Sequence, residues 1–142
     1  MTRGATLFRT IVVLYIGVIL GVVLIATPAK FLAPTVSEAQ LLDVGRQTFR
    51  VFAWVEYAFT IVLVLLAAQA RGRVRIRGAV VLAFIVLLQH LVLRPALDAR
   101  VGRIMAGETV EPSMLHNLYA ACTFVKLIVL VVIARAGRHG RR

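Results

Sequence analysis

The sequence predicts an all-α membrane protein, an antiparallel bundle of four transmembrane helices. Hydrophobic residues make up 61% of the 142 residues and the mean hydropathy is +0.91, whereas soluble globular domains are about 45–50% apolar. Four apolar stretches approach the roughly 20 residues that a helix needs to cross the hydrocarbon core of a bilayer. The segments that join them are short, which favours antiparallel neighbours. We therefore treat residues 1–142 as a single integral membrane domain.

The four spans are expected at residues 8–27, 51–70, 78–94 and 114–134. The apolar stretch that begins after Arg3 and Arg9 is longer than the roughly 7–15 apolar residues of a secretory signal, so we expect the first span to be retained. Pro28 and Pro34 come next. They are expected to end the first helix, because proline lacks the backbone N–H that a helix interior requires.

A helix start is predicted ahead of the second span. The residues "SEAQ", from Ser37 to Gln40, match a capping box, in which a serine hydroxyl and a glutamine side chain bond the free amides of the first turn. Two interpretations of the following residues remain open. They form either a separate amphipathic helix at the interface before residue 51 or one continuous helix from Ser37 to Ala70.

The connections on either side of the third span differ in character. "RGRVRIRG", residues 71–78, is expected to be a tight turn whose arginines anchor the membrane boundary. After Arg94 and Pro95, apolar residues recur at i, i+4, i+7 and i+8, which predicts a short amphipathic helix on the outer surface of the membrane. These apolar residues are Leu97, Val101, Ile104 and Met105. Gly107 is expected to stop this helix, and Pro112 to precede the fourth.

The distribution of charge predicts the orientation. With a cytoplasmic N-terminus, the inner side carries ten arginines and no acidic residue, and the outer side carries six cations and five carboxylates. The positive-inside rule then places both termini in the cytoplasm, and we expect a multi-pass protein of a bacterial inner membrane. Arginines that meet anionic headgroups, at about 1 kcal/mol each, account for the net charge of +11. Nucleic-acid binding is therefore not expected.

Six side chains are predicted to form an intramembrane polar cluster: Glu56, His90, His116, Tyr119, Cys122 and Lys126. At 1.5 Å per helical residue, Glu56, His90 and Cys122 lie in one layer, roughly 20–22 Å from the cytoplasmic arginines. The long side chain of Lys126 can extend to that layer. Three more polar residues are expected at the outer rim: Arg94, Asp98 and Arg100.

Charges inside a bilayer usually face the protein interior and find partners there. We expect Glu56 to pair with Lys126, or with His90 or Arg94, and the pair to determine how the helices pack. A proton relay through Glu56 and His90 remains open, as does haem between His90 and His116. A metal site would use Glu56, His90, Cys122 and His116, although HxxxH and CxxC spacings are missing. We expect no bound metal and no cofactor.

Two glycines and one cysteine have structural interpretations. "GVILG", from Gly17 to Gly21, is a GxxxG pair that predicts close packing of the first helix, within the bundle or between copies. The single Cys122 excludes an intrachain disulfide. The sequence contains neither a nucleophile triad nor a phosphate-binding glycine loop, so no catalytic residue is expected and we do not expect an enzyme.

Four segments together resemble a known family: "PAKFLAP", "VGRQTFRVFAWVEY", "LRPALDARVGRIMAGE" and "SMLHNLYAACTFVKL". In order and spacing they are similar to small bacterial four-helix membrane proteins of unknown function, and loosely to the transmembrane protein 205 family. The resemblance runs from about Gly17 to Leu130 and implies a four-span bundle in a bacterial inner membrane. It also implies that Glu56, residues 93–100 and residues 115–119 belong to recurring motifs. The acidic residue that the family carries after the tyrosine is replaced here by "AACTF".

These observations lead us to expect a non-enzymatic inner-membrane protein that acts by packing. It would assemble with itself or serve as an accessory subunit of a larger membrane complex, with the lipid bilayer around it. The competing interpretation is a small transporter or proton-coupled channel. Such a protein would use Glu56, His90, His116 and Lys126. A metal- or haem-binding membrane protein is the third interpretation.

Overall fold

The computed structural model describes residues 3–70 and 72–136, and every regular element in this part of the chain is helical. The four long helices are α1 (Arg3–Leu32), α2 (Glu38–Ala70), α3 (Arg73–Met105) and α4 (Leu115–Arg135). All four are long and apolar enough to cross a membrane. The all-α class and the four candidate spans are therefore confirmed.

Helix α1 passes through a proline without breaking. A π-helical segment, Gly21–Ala26, precedes Pro28, and the Thr27 N–H donates to the Val22 carbonyl five residues back. The Thr27 hydroxyl donates to the same carbonyl at 2.8 Å. Because the π turn shifts the hydrogen-bond register where the proline N–H is missing, the helix continues to Leu32. The prediction that Pro28 ends the helix is wrong.

Pro34 does mark the end of α1. The helix closes with a 3₁₀ turn at Lys30–Leu32, and Ala33 takes an extended conformation with φ −86° and ψ 103°. A proline disfavours the helical conformation of the residue before it, because its ring collides with that residue's backbone.

Helix α2 begins at the predicted capping box. The Ser37 N–H donates to Gln40 Oε1 at 2.9 Å, and the Gln40 N–H donates to Ser37 Oγ at 3.4 Å. From Glu38 the helix runs without interruption for 33 residues. The structure therefore agrees with one continuous helix and not with a separate interfacial helix before residue 51. Its length, about 50 Å at 1.5 Å per residue, exceeds the roughly 30 Å of a hydrocarbon core.

Helix α3 is longer at both ends than the sequence indicated. It begins at Arg73, so the predicted turn over residues 71–78 is largely helix; Arg71 lies outside the described residues. A second π segment, Leu88–Leu93, precedes Pro95, and the Arg94 N–H donates to the carbonyl five residues back. The residues predicted to form a separate helix, Arg94–Met105, instead continue α3 without a break.

The end of α3 follows the prediction. Gly107 has φ +81°, a left-handed conformation that glycine adopts without steric cost. Its N–H donates to the Ile104 carbonyl at 3.0 Å.

Helix α4 starts at Leu115, whose N–H donates to Ser113 Oγ at 3.2 Å. The basic residues beyond 136 lie outside the described part of the chain.

The four helices form a bundle with a shared apolar core. Helix α2 packs against α1 and α3, and α4 packs against α1 and α3. The core includes the fully buried residues Phe8, Val12, Leu63, Leu82, Leu130 and Ile133. Large apolar side chains also cover the outside; Leu24, Ile25 and Phe84, for example, are all about two-thirds exposed. Such a surface suits contact with lipid better than contact with water.

The GxxxG pair does not join two helices within the chain. A Cβ added at Gly17 or Gly21 would have nothing within 4 Å, so the prediction of close packing inside the bundle is wrong for both glycines. Close packing of α1 between copies stays a prediction. A tight glycine contact between helices lies elsewhere: a Cβ at Gly78 would overlap Ile133 Cγ2, where α3 meets α4.

We expect Gly78→Ala to lower the free energy of unfolding by about 1–3 kcal/mol, as overpacking does, because the branched Ile133 side chain has little freedom to move away. The matched control is Gly17→Ala, which should raise stability by up to about 1 kcal/mol through helix propensity. Denaturant titration in mixed micelles measures both. Unchanged stability in Gly78→Ala would contradict the close α3–α4 contact, and a loss in Gly17→Ala would indicate packing between copies.

Candidate functional site: a buried polar cluster

All four helices contribute to one buried group of polar side chains, which we call the central polar cluster. Its members are Tyr15 of α1, Glu56 of α2, Gln89 and His90 of α3, and Thr123 and Lys126 of α4. Each of these residues is less than 9% exposed. The apolar core continues around the cluster and excludes bulk water from it.

Glu56 lies at the centre of the cluster, and its side chain is 0% exposed. Its Oε1 accepts hydrogen bonds from the Tyr15 hydroxyl at 2.9 Å and from Lys126 Nζ. Its Oε2 accepts a hydrogen bond from His90 Nε2 at 2.7 Å. An isolated carboxylate is very costly to bury. Three donors from three other helices satisfy this one, so the expected pairing of Glu56 with Lys126 and His90 is found.

Lys126 is the cation of the cluster and is also 0% exposed. Besides Glu56, its ammonium group donates to Gln89 Oε1 at 2.7 Å. It also lies 5.9 Å from the centre of the Phe52 ring, within the range of a cation–π contact. The buried ammonium thus exchanges its water shell for a carboxylate, an amide oxygen and an aromatic face.

Gln89 links the ion pair to the backbone of α4. Its amide nitrogen donates to Thr123 Oγ1 at 2.9 Å and to the Tyr119 carbonyl at 3.1 Å. Consecutive residues of a helix point about 100° apart, so Gln89 can face α4 while His90 faces α2. Both residues lie in the π turn over Leu88–Leu93. The six predicted cluster residues do not include Gln89.

The geometry of His90 indicates which nitrogen carries its proton. With Glu56 ionised, Nε2 is the donor, because a carboxylate oxygen only accepts. Nδ1 is buried and has no hydrogen-bond partner in the described part of the chain. A proton on Nδ1 would be an unsatisfied buried donor, so the neutral ring fits this site. With neutral His90, the charges of Glu56 and Lys126 balance.

Tyr15 is the second member that the sequence analysis missed. The Tyr15 hydroxyl donates to the Glu56 carboxylate at 2.9 Å. Its ring stacks on Phe59 with centroids 4.8 Å apart, which holds the hydroxyl in place. The helical spacing of Phe8, Val12, Tyr15 and Ile19, all buried, is the signal that could have placed it on the inner face.

Three residues of the predicted cluster are not members of the central polar cluster: Tyr119, Cys122 and His116. Tyr119 is buried with its ring 6.4 Å from that of His90, but its hydroxyl has no partner among the described residues. Cys122 is half-buried and His116 is exposed. Neither is hydrogen-bonded to the cluster in the part of the chain described, and their grouping with Glu56 stays a prediction.

The geometry bears on the metal and haem interpretations. Residues 3–70 and 72–136 contain no group of three His, Cys, Asp or Glu side chains placed to hold a metal ion. The bond from Nε2 to Glu56 occupies the nitrogen with which His90 would ligate haem. His116 lies on the surface, so the two histidines do not face a common cofactor space.

The rim residues surround a cavity at one end of the bundle. This rim cavity has a volume of about 270 Å³, and its polar lining comprises Thr27, Lys30, Arg46, Arg94, Asp98, His116 and Tyr119. Asp98 Oδ1 lies 3.9 Å from Arg46 Nε. Arg100 is not part of the lining, and donates instead to the Val110 carbonyl at 3.4 Å. Arg94 forms no ion pair with Glu56 in the described structure, so that predicted alternative is wrong.

Comparisons with protein-family models, curated proteins and solved structures return no match to this chain. The resemblance to small four-helix membrane proteins therefore stays a prediction. Function must be argued from the geometry of the cluster and of the rim cavity.

We expect Glu56→Gln to lower the free energy of unfolding by about 3–5 kcal/mol, because it leaves the buried Lys126 cation without its counter-charge. Glu108→Gln is the matched control. It removes a carboxylate from an exposed ion pair with Arg103, and such pairs contribute about 0–1 kcal/mol. Thermal melting in neutral detergent compares the two. Equal melting temperatures for Glu56→Gln and the unsubstituted protein would contradict a structural role for the pair.

Proposed function

We propose that this chain is a non-catalytic integral protein of a bacterial inner membrane, which acts by packing with itself or with a larger membrane complex. The observation that carries this proposal is the central polar cluster, in which Glu56 of α2 accepts hydrogen bonds from side chains of the other three helices. The cluster gives the bundle a defined arrangement. A defined surface for assembly follows from a defined arrangement of helices.

The chemistry of the cluster supports packing over transport. A transport site must exchange its partners for a substrate or a proton, but both oxygens of Glu56 already accept hydrogen bonds and its side chain is 0% exposed. Beyond the cluster, α2, α3 and α4 meet through Leu63, Leu82 and Leu130, all fully buried. Among the described residues this layer is apolar, which disfavours a polar route toward the ends of the helices that carry most of the arginines.

Such an ion pair mainly determines which helices pack together and in which register. Two charges lose their hydration on burial, and this cost can equal or exceed their attraction, so a buried pair does not by itself make a fold stable. A wrong pairing of helices would leave Glu56 or Lys126 buried without its partner. Losing one partner of a buried ion pair destabilises a fold by about 3–5 kcal/mol. The cluster therefore favours one register and one neighbour order of the helices over the others.

We further propose that the bundle is antiparallel with both termini in the cytoplasm. Arg75, near the start of α3, lies 4.9 Å from the centre of the Phe8 ring near the start of α1, which supports an up-down-up-down order. The arginines at that end would meet anionic lipid headgroups. The opposite end carries the rim cavity and the acidic residues Asp98 and Glu108.

A second candidate function is a small transporter or proton-coupled channel. Two buried groups between the cluster and the rim cavity favour it: His90 Nδ1 and the Tyr119 hydroxyl both lack hydrogen-bond partners in the described structure. With Glu56 bonded to His90, they would form part of a proton path to the cavity. Arg94 and His116, which line the cavity, would lie at its mouth.

Replacing both charges distinguishes the two candidates. A packing role predicts that Glu56→Gln combined with Lys126→Met recovers most of the stability that either substitution alone removes, because neither charge is then stranded. It also predicts that reconstituted vesicles containing the unsubstituted protein take up protons no faster than empty vesicles. A pH-sensitive dye reports this uptake. Proton uptake that Glu56→Gln abolishes would overturn the packing role, and so would a double variant less stable than both single variants.

The orientation has its own test. A green fluorescent protein fused after Arg142 should fluoresce, and an alkaline phosphatase fused at the same point should be inactive, because the positive-inside rule places the C-terminus in the cytoplasm. A fusion after Gly107, in the connection that follows α3, is the control and should show the reverse pattern. An active phosphatase after Arg142 would overturn the proposed orientation.

A further inference from the structure

The rim cavity contains polar groups that no other part of the described structure satisfies. Arg94 Nε and the Tyr119 hydroxyl are both buried atoms without hydrogen-bond partners, and both residues line the cavity. Tyr119 as a whole is only 8% exposed. Buried donors are nearly always satisfied in folded proteins, so two that line one cavity indicate a place for an acceptor.

The charge of the cavity defines the kind of acceptor. Lys30, Arg46 and Arg94 contribute three cations, and Asp98 is the single carboxylate in the lining. Asp98 lies 3.9 Å from Arg46 and offsets one cation. The lining therefore has an excess of about two positive charges with His116 neutral, which matches the charge of a phosphate monoester, about −1.5 to −2 near neutral pH.

The rest of the lining is apolar. It comprises Phe31 from α1, Leu42 and Phe49 from α2, and Leu97 and Val101 from α3. The cavity thus offers charged donors beside a hydrocarbon wall, as ligand sites commonly do. Its volume, about 270 Å³, is enough for a phosphate group and a short part of an attached chain.

We propose that the rim cavity binds a phosphate ester carried on an apolar chain, with Arg94 and Tyr119 donating to the phosphate oxygens. A phosphate offers three or more acceptor oxygens to the donors around the cavity, whereas a carboxylate offers two. The ester has two conceivable sources, a membrane phospholipid or a free alkyl phosphate. This site goes beyond the proposed packing role. It does not depend on that role, because no residue of the central polar cluster lines the cavity.

Isothermal titration calorimetry of the full chain in a neutral maltoside detergent tests the site. The probes are dihexanoyl phosphatidic acid, dihexanoylglycerol with the same chains and no phosphate, hexyl phosphate, and hexanoate. We expect phosphatidic acid to bind and dihexanoylglycerol to bind at least about tenfold more weakly, because charge-assisted hydrogen bonds are lost. Equal affinity for these two lipids, or for hexanoate and hexyl phosphate, would overturn the proposal.

Two variants test the assigned donors. Arg94→Gln should weaken phosphatidic acid binding about tenfold, and Tyr119→Phe about threefold, in line with a charged and a neutral hydrogen bond. Tyr119→Phe keeps the ring that contacts Phe49 and the carbonyl that accepts from Gln89, so we expect it to fold. Arg50→Gln, an exposed residue outside the lining, is the charge-matched control and should bind normally. Unchanged binding in both test variants would overturn the assignment.

The same titrations separate the two sources of the ester. If hexyl phosphate binds as tightly as phosphatidic acid, the site recognises a free amphipathic phosphate. If it binds at least about tenfold more weakly, the second acyl chain and glycerol contribute, and a membrane lipid is the occupant. Either result supports a phosphate-ester site, and absence of binding by both compounds would overturn it.

Discussion

The burial of the Glu56 carboxylate is the constraint on which the arrangement of the four helices depends. A charge without water must be satisfied by protein donors, and here the donors come from α1, α3 and α4. Removing any one of these helices would leave part of the carboxylate or of the Lys126 ammonium unsatisfied. Because lipid chains are as apolar as leucine side chains, apolar contacts alone would discriminate weakly between helix neighbours in a bilayer. The polar cluster supplies that discrimination.

The cluster also divides the interior into two chemically different parts. On the side of Phe8 and Ile133, the helices meet through buried apolar side chains, and Gly78 lets α3 approach α4 closely. On the other side, the helices separate around a cavity with several cations in its lining. The first part is lined by apolar side chains and the second by several cations, so the ligand proposed above would bind in the second part.

Much of this arrangement could be predicted from the sequence, and two of the exceptions lie at π segments. Counting residues along ideal helices placed Glu56 and His90 in one layer with Lys126 in reach, and their contacts confirm it. Predictions that assume regular α-helices failed at two places. Pro28 does not end α1, and the predicted cluster does not include Gln89; a π segment lies just before Pro28 and another contains Gln89. No residue pattern in a single sequence distinguishes a π turn from an α turn ahead of a proline.

The two π segments are also what makes both sites possible. At Pro28 and Pro95 an ordinary α-helix would lose a hydrogen bond and collide with the ring, whereas the shifted register carries each helix on for further turns. Those extra turns hold Lys30 of α1 and Asp98 of α3, which line the rim cavity. The π segment of α3 also contains Gln89, which bonds the Tyr119 carbonyl while the Tyr119 hydroxyl lines the cavity. The π segment of α3 therefore contributes to the central polar cluster and precedes the part of α3 that lines the cavity. Tyr119 contacts both sites.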